Sequence, residues 1–374
     1  MTAYRFLEPL DVLFLRGNKL FGDPGSYGEA LVPPWPSVAA GAIRSHLLAV
    51  DGIDFAAFAR GGVSHPALGT PQEPGAFRLT GFHLARWRGG RAETLHPLPA
   101  DLVATGCNGE RRLQWLRPVT PAPGLAGSAT LPRLPALATD SREKPEGGLW
   151  LTQGGWQDYL QGGQPRPEAV VESKDLWKME SRIGVGLDPD RRRAGDGQLF
   201  TVQAVVMGRD VGFLAAIEGA EPPADGTLRL GGDGRAAAVR AVEYDPPEPD
   251  YGAIARDGRC RLVLTAPGVF PGGWRPPGVD GEGRFALHGV RGHLVCAAVP
   301  RAEVVSGWDL AKGEPKPAER VAPTGSVWWL EDLDATPEAL RKLAESGLWP
   351  EEGYDVQRRA EGFNRIAFAA WGES

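Results

Sequence analysis

The chain has 374 residues, 42% of them apolar and 24% charged, with a formal net charge of −6. That length supports two domains, each with its own core, and the composition is that of an ordinary folded protein rather than a disordered tail or a fibre. The acidic balance excludes a free-standing binder that is basic overall, so any nucleic-acid contact must use a local basic face or be shared with partner subunits.

Glycine (51) and proline (34) are abundant, so loops and turns make up much of the chain. Cys107, Cys260 and Cys296 are odd in number, far apart and without a CxxC pair. They read as reduced, buried thiols of a cytoplasmic protein, with neither a disulfide framework nor a zinc site. The segment MTAYRFLEPLDVLF lacks a basic n-region followed by an apolar h-region, so no secretory leader is expected. No apolar run of about 18 residues offers a membrane span.

In chain order, Tyr4 to Arg16 reads as a first strand interrupted by Pro9, and a polar loop runs from Asn18 to Glu29. Pro33 to Val50 then has helical spacing, with Ser37 as the expected N-cap. A strand, a Gly-containing loop and a helix form the opening of a ferredoxin-like domain. Phe77 to Leu102 reads as a hairpin turning at Gly89-Gly90, with Arg86, Arg88 and Arg91 clustered near the turn. Glu110 to Val119 is a further strand candidate, and Pro118 to Pro145 an irregular connection. Trp150 to Leu160 reads as a short helix capped near Thr152, and Gln161 to Pro167 as the domain boundary.

Glu180 to Val206 is the most informative stretch. Two apolar, β-branched arms flank a tip that carries Arg191, Arg192 and Arg193. Three adjacent guanidiniums are not needed for folding; they suit either a phosphate backbone or a solvated loop. Beyond it, Val211 to Ile217, Arg259 to Phe270, His293 to Leu310 and Gly325 to Leu330 read as strands. Leu228 to Tyr244 carries a Gly-rich turn around Asp233 and Arg235 without the Lys-Ser/Thr of a nucleotide P-loop. Pro337 to Ser346 is an amphipathic helix between Thr336 and Gly347, and a final strand follows Gly362, Asn364 and Arg365.

The phrases ESRIGVGLD, GAIRSHLL and GFNRIAFAAW, in this order, resemble the RAMP superfamily of CRISPR RNA-binding proteins. Within it the chain is most similar to the type III-B (Cmr complex) subunit that holds the 5′ tag of the guide RNA. The resemblance implies an α+β fold of two ferredoxin-like (RRM-like) RAMP domains with long loop and β-hairpin insertions, placed at 1–165 and 166–374. It implies a non-catalytic, cytoplasmic subunit for antiviral defence, without cofactor or metal. Its partners would be the crRNA 5′ tag, the large polymerase-like subunit and the first backbone subunit, with target RNA met indirectly. The residues expected to contact RNA phosphates are Arg16 and Lys19 on the first loop, Arg44 on the first helix, and Lys174, Arg182 and Arg191 to Arg193 at the hairpin. Arg235, Asn364 and Arg365 complete the set. Trp35 and Phe200 serve either base stacking or the core.

Two rival functions remain open from the residues. A guide-processing ribonuclease would need a histidine as general base, and His46 on the first helix is the candidate, against a plain helix-face role. His83 and His96 could face each other across their hairpin. A scaffold that touches only proteins is the other. No Ser-His-Asp order, HExxH or paired-carboxylate metal motif is present.

Overall fold

The computed structural model describes residues 1–15, 27–28, 30–107, 110–124, 130–139, 143–188, 193–309 and 312–371. The fold is mixed α/β, with several sheets and few helices, in agreement with an α+β chain. No helix among the described residues is long and apolar enough to cross a membrane.

Two compact units form, and neither is contiguous in sequence. The first holds Met1–Ala92, Lys174–Tyr244 and Val304–Ala318; the second holds Glu93–Ser173, Asp245–Glu303 and Glu319–Ser374. The division expected at Gln161–Pro167, with domains 1–165 and 166–374, is therefore replaced by an interleaved one. Strand pairing is the reason. Ala3–Pro9 lies between Val211–Glu218 and Ala236–Ala241, partners from far down the chain that no local composition announces.

In the first unit the strands lie in the order Asp225–Arg229, Ala236–Ala241, Ala3–Pro9, Val211–Glu218, Arg78–Arg88. Each is antiparallel to its neighbour. Phe6 pairs with Leu214 on one face and Leu7 with Phe213 on the other, and all four are buried, so the central strands are covered on both faces. The first strand ends at Pro9; beyond a bend the chain continues through single bridges at Leu13 and Phe14 rather than as the one strand expected to Arg16. Helix Pro36–Val50 buries Ala39, Ala40, Ile43 and Leu47 at helical spacing and packs over Arg78–Arg88 and Asp225–Arg229. Its cap is Trp35, not Ser37: Pro36 occupies the first helical position, where its fixed φ is already helical. Gly89 and Gly90 both have positive φ, as the expected tight turn requires.

The long hairpin Trp177–Asp188 with Arg193–Met207 belongs to this unit. Its register puts Gly184 opposite Phe200, and the Phe200 ring occupies the space that a Cβ on Gly184 would need. Glycine is required there by close approach, not by φ.

The second unit is built on the order Arg284–Leu287, Val290–Ala298, Val327–Asp334, Cys260–Leu264, Ile366–Ala370, again antiparallel throughout. In both units the first of four main strands in chain order lies between the third and fourth, with the second beyond the third. Side chains alternate between two cores. Cys260, Leu262, Leu264, Trp328, Leu330 and Phe368 face helices Tyr251–Asp257 and Pro337–Ser346. Val263, Val327, Trp329 and Ala369 face helix Gln153–Leu160, which Thr152 caps through the Gly155 N–H (3.2 Å). Burial pushes the Cys260 thiol up, and that of Cys296 up to about 12, so both are inert thiols at neutral pH.

A buried ion pair, Arg261 with Asp101, sits in that second core. The Arg261 guanidinium donates to Asp101 Oδ2 (2.8 Å), to the Tyr159 carbonyl (3.1 Å) and to the Ala370 carbonyl (2.7 Å), while the Tyr159 hydroxyl donates to Asp101 Oδ1 (2.9 Å). The rings of Trp115 and Tyr159 each lie 4.3 Å from it. Removing one partner of such a pair leaves an uncompensated buried charge, which costs about 3–5 kcal/mol.

Two predictions follow from this packing. Asp101→Ala should lower unfolding free energy by about 3–5 kcal/mol in chemical denaturation, whereas Arg291→Ala, whose pair with Asp334 is fully at the surface, should change it by less than about 1 kcal/mol. Gly184→Val should displace Phe200 and weaken the hairpin by about 1 kcal/mol, read as faster amide exchange in 177–188 and 193–207 with exchange in the sheets unchanged.

Candidate nucleic-acid interface

The hairpin is fixed at its root and bare beyond it. Leu13 exchanges both backbone hydrogen bonds with Val205 (2.9 and 2.8 Å), and Ala204 and Val205 are fully buried. Ala30 donates to Gln203 Oε1 (3.0 Å), and Tyr27–Gly28 runs parallel to Thr201 and Val202. Away from the root, Lys178 to Ile183 are all exposed. The arms then present two different faces, because side chains alternate along a strand. Lys178, Glu180, Arg182 and Phe200 share one face, with Arg182 3.3 Å from Glu180. Met179, Ile183, Val185 and Leu199 share the other, and Ile183 is 77% exposed. One face thus carries Lys178, an Arg182–Glu180 pair and a half-buried aromatic ring, and the opposite face carries no charge at these positions.

The Gly-rich turn lies against the same root. Phe14 forms a bridge with Gly232, whose N–H donates to the Phe14 carbonyl (2.8 Å). At Gly231 (φ +79°) a Cβ would stand 2.8 Å from that carbonyl, so the close backbone approach expected of the turn is observed and depends on the missing side chain. Asp233 and Gly234 also have positive φ. Arg235 does not reach outward. Its guanidinium is bound by Asp11 (2.8 Å) and Asp233 (3.2 Å) and lies 5.0 Å over the Phe14 ring.

The remaining expected cations are spread over the molecule. Arg44 is half-buried over the Phe77 ring (5.1 Å), and Lys174 is exposed on Ser173–Leu176; both belong to the first unit. Asn364 is corrected. It is fully buried at φ +59°, accepts from the Val269 N–H (2.6 Å) and donates to the Leu348 carbonyl (3.0 Å). Its amide is committed to shaping the loop before the last strand. Arg365 donates to the Glu345 carbonyl (2.6 Å), and both residues belong to the second unit. Trp35 is core, 8% exposed. Arg16, Lys19, Arg191 and Arg192 lie outside the described residues. Arg193 pairs with Asp188 along the hairpin, so its backbone alone is placed.

Three of the histidines have defined surroundings. Burial lowers the pKa of His46, and its Nε2 is enclosed without a hydrogen-bond partner. His96 is buried against Trp156, ring centroids 4.4 Å apart. His65 accepts from the N–H groups of Ala67 and Leu68 (3.0 and 3.1 Å) at Nδ1, which leaves Nε2–H to donate to Asp51 (2.8 Å). Among the described residues no group of His, Cys, Asp and Glu is arranged to hold a metal ion. The residues that sequence reasoning missed are acidic. Asp11 stands far from Arg235 in sequence, so nothing local marks the pair, and the exposed aliphatic face of the hairpin shows only once the register is known.

No curated protein matches the chain by sequence. Among solved structures, a chain of the type III-B Cmr-beta bound to cognate target RNA and AMPPnP superposes with a TM-score of 0.50 at 13% identity, over 97% of this chain and 95% of that one. A second, of the Cmr-beta bound to cognate target RNA, gives 0.47 at 12% identity over 97% and 96%. The family model for CRISPR-associated protein (Cas_Cmr3) matches residues 5–371. With nearly every residue inside that match, from the first strand to the end of the last, the chain belongs to the Cas_Cmr3 family of CRISPR-associated proteins.

Proposed function

We propose that the protein is a non-catalytic RNA-binding subunit of a type III-B CRISPR effector complex, holding the 5′ tag of the crRNA in defence against foreign nucleic acid. The observation that carries this reading is the projecting hairpin, whose one face sets Arg182 diagonal to Phe200, with Lys178 further along the same face. Single-stranded RNA is held by cationic contacts to phosphates and by stacking on aromatic rings, and this face offers both. In sequence, Arg191 to Arg193 between the two arms and Arg16 and Lys19 after the first strand add further cationic candidates. The net charge of −6 agrees with a local RNA face on a subunit whose other surfaces meet proteins. The large polymerase-like subunit and the first backbone subunit are the proposed neighbours. Related complexes have been solved with target RNA bound, which supports this setting.

The strand order supports two ferredoxin-like RAMP domains. Four strands with the first between the third and fourth is the order of a β-α-β-β-α-β unit. The first unit keeps the helix between its first and second strands (Pro36–Val50), and the second keeps the one between its third and fourth (Pro337–Ser346). A processing ribonuclease is disfavoured by the enclosed Nε2 of His46.

The test is crosslinking of a labelled guide RNA to the reconstituted complex, with the crosslinked peptides mapped. Tag crosslinks in 177–188 and 193–207 with intact RNA are expected. In the same complex Arg182→Ala should lower the slope of log K against log salt by about 0.7, the loss of one phosphate contact on a single strand. Cleaved RNA would move the protein to the nucleases, and crosslinks confined to other subunits would leave a protein scaffold.

A further inference from the structure

We propose that two acidic residues, Asp11 and Asp233, support guide-RNA binding by clamping Arg235 as a positioning residue, so that Arg235 acts through the fold and touches no phosphate. The inference rests on the tag-holding function and refines how its site is kept in shape.

Charge decides first. One guanidinium held by two carboxylates, at 2.8 and 3.2 Å, leaves the trio net negative by one. A phosphate arriving there would have to displace both acids or meet their repulsion, so the trio is a poor anion receptor. Geometry then says what it is good for. The guanidinium lies over Phe14, 5.0 Å from the ring centroid. Its Nε is buried without a partner, and both Nη atoms are taken by the two carboxylates. The backbone of Phe14 holds the Gly-rich turn through Gly232, and the preceding Leu13 holds the hairpin through Val205. Arg235 therefore ties the strand segment 13–14 to the turn, and that segment is the root from which the cationic hairpin face projects. A planar guanidinium can serve two carboxylates and a ring at once, which an ammonium cannot.

This predicts an effect opposite in sign to simple electrostatics. Removing a negative charge near an RNA site should tighten binding if the charge merely repels phosphate. If the acids position the root, removal weakens it. The experiment uses the full chain in the reconstituted complex, with a labelled guide RNA bearing or lacking its 5′ tag, titrated across a salt series. Asp11→Asn, Asp233→Asn and Arg235→Gln are each expected to weaken tag-dependent binding about twofold to fivefold, the scale of a partly exposed ion pair. The salt slope should stay at the wild-type value, and Asp11→Asn combined with Arg235→Gln should cost no more than either alone, because both break one contact. Tighter or unchanged binding by Asp11→Asn overturns the proposal. So does a drop of about 0.7 in the slope for Arg235→Gln, since that marks a direct phosphate contact. Should Arg235→Gln fail to enter the complex, the two Asp→Asn variants at exposed carboxylates decide the matter alone. A wild-type complex that binds tagged and untagged RNA equally removes the tag-holding function itself, and is seen before any variant is compared.

Discussion

The second unit depends on one buried guanidinium. Its chain arrives in three separate pieces, and Arg261 binds all of them: Asp101 and Tyr159 from the first, its own strand in the second, and the Ala370 carbonyl from the third. A charge in a core is costly unless every donor is matched, and here carboxylate, carbonyls and two aromatic faces match it. An apolar side chain could fill the same volume, but it would not discriminate among ways of bringing three pieces together. Directional hydrogen bonds do, and those of Arg261 join all three pieces.

The first unit meets the same difficulty by backbone pairing. Its first strand is completed by strands from far down the chain, and the short segment at Leu13 and Phe14 is shared between a hairpin and a Gly-rich turn. The turn comes close enough only because Gly231 has no side chain to collide with the Phe14 carbonyl. Where packing is that tight, a single aromatic ring and the cation above it hold the root in place.

A protein of net charge −6 in a family of CRISPR-associated proteins is a physical puzzle only if charge is treated as a total. The hairpin shows how it is resolved locally. Alternation along two paired strands separates Lys178 and Arg182 from Ile183 and Leu199, giving one narrow element a cationic face and an aliphatic one. An element built this way is suited to meet nucleic acid on one side and protein on the other.

Much of this was legible in the sequence, for reasons that can be named. Short continuous apolar runs marked the strands Val211–Glu218 and Val327–Asp334, an amphipathic pattern marked Pro337–Ser346, and Gly89-Gly90 and Thr336 marked a turn and a cap, because such signals are local. The motif order pointed to the family that the chain belongs to. The cap at Trp35 and the short helices Tyr251–Asp257 and Val356–Ala360 were missed, since a proline preset and five to seven residues leave little periodicity to read. The interleaved units, the burial of Asn364, the clamp of Asp11 on Arg235 and the pairing of Asp101 with Arg261 were decided by tertiary structure alone. Each joins residues far apart in the chain, and a sequence states which side chains carry charge but not which of them folding will neutralise.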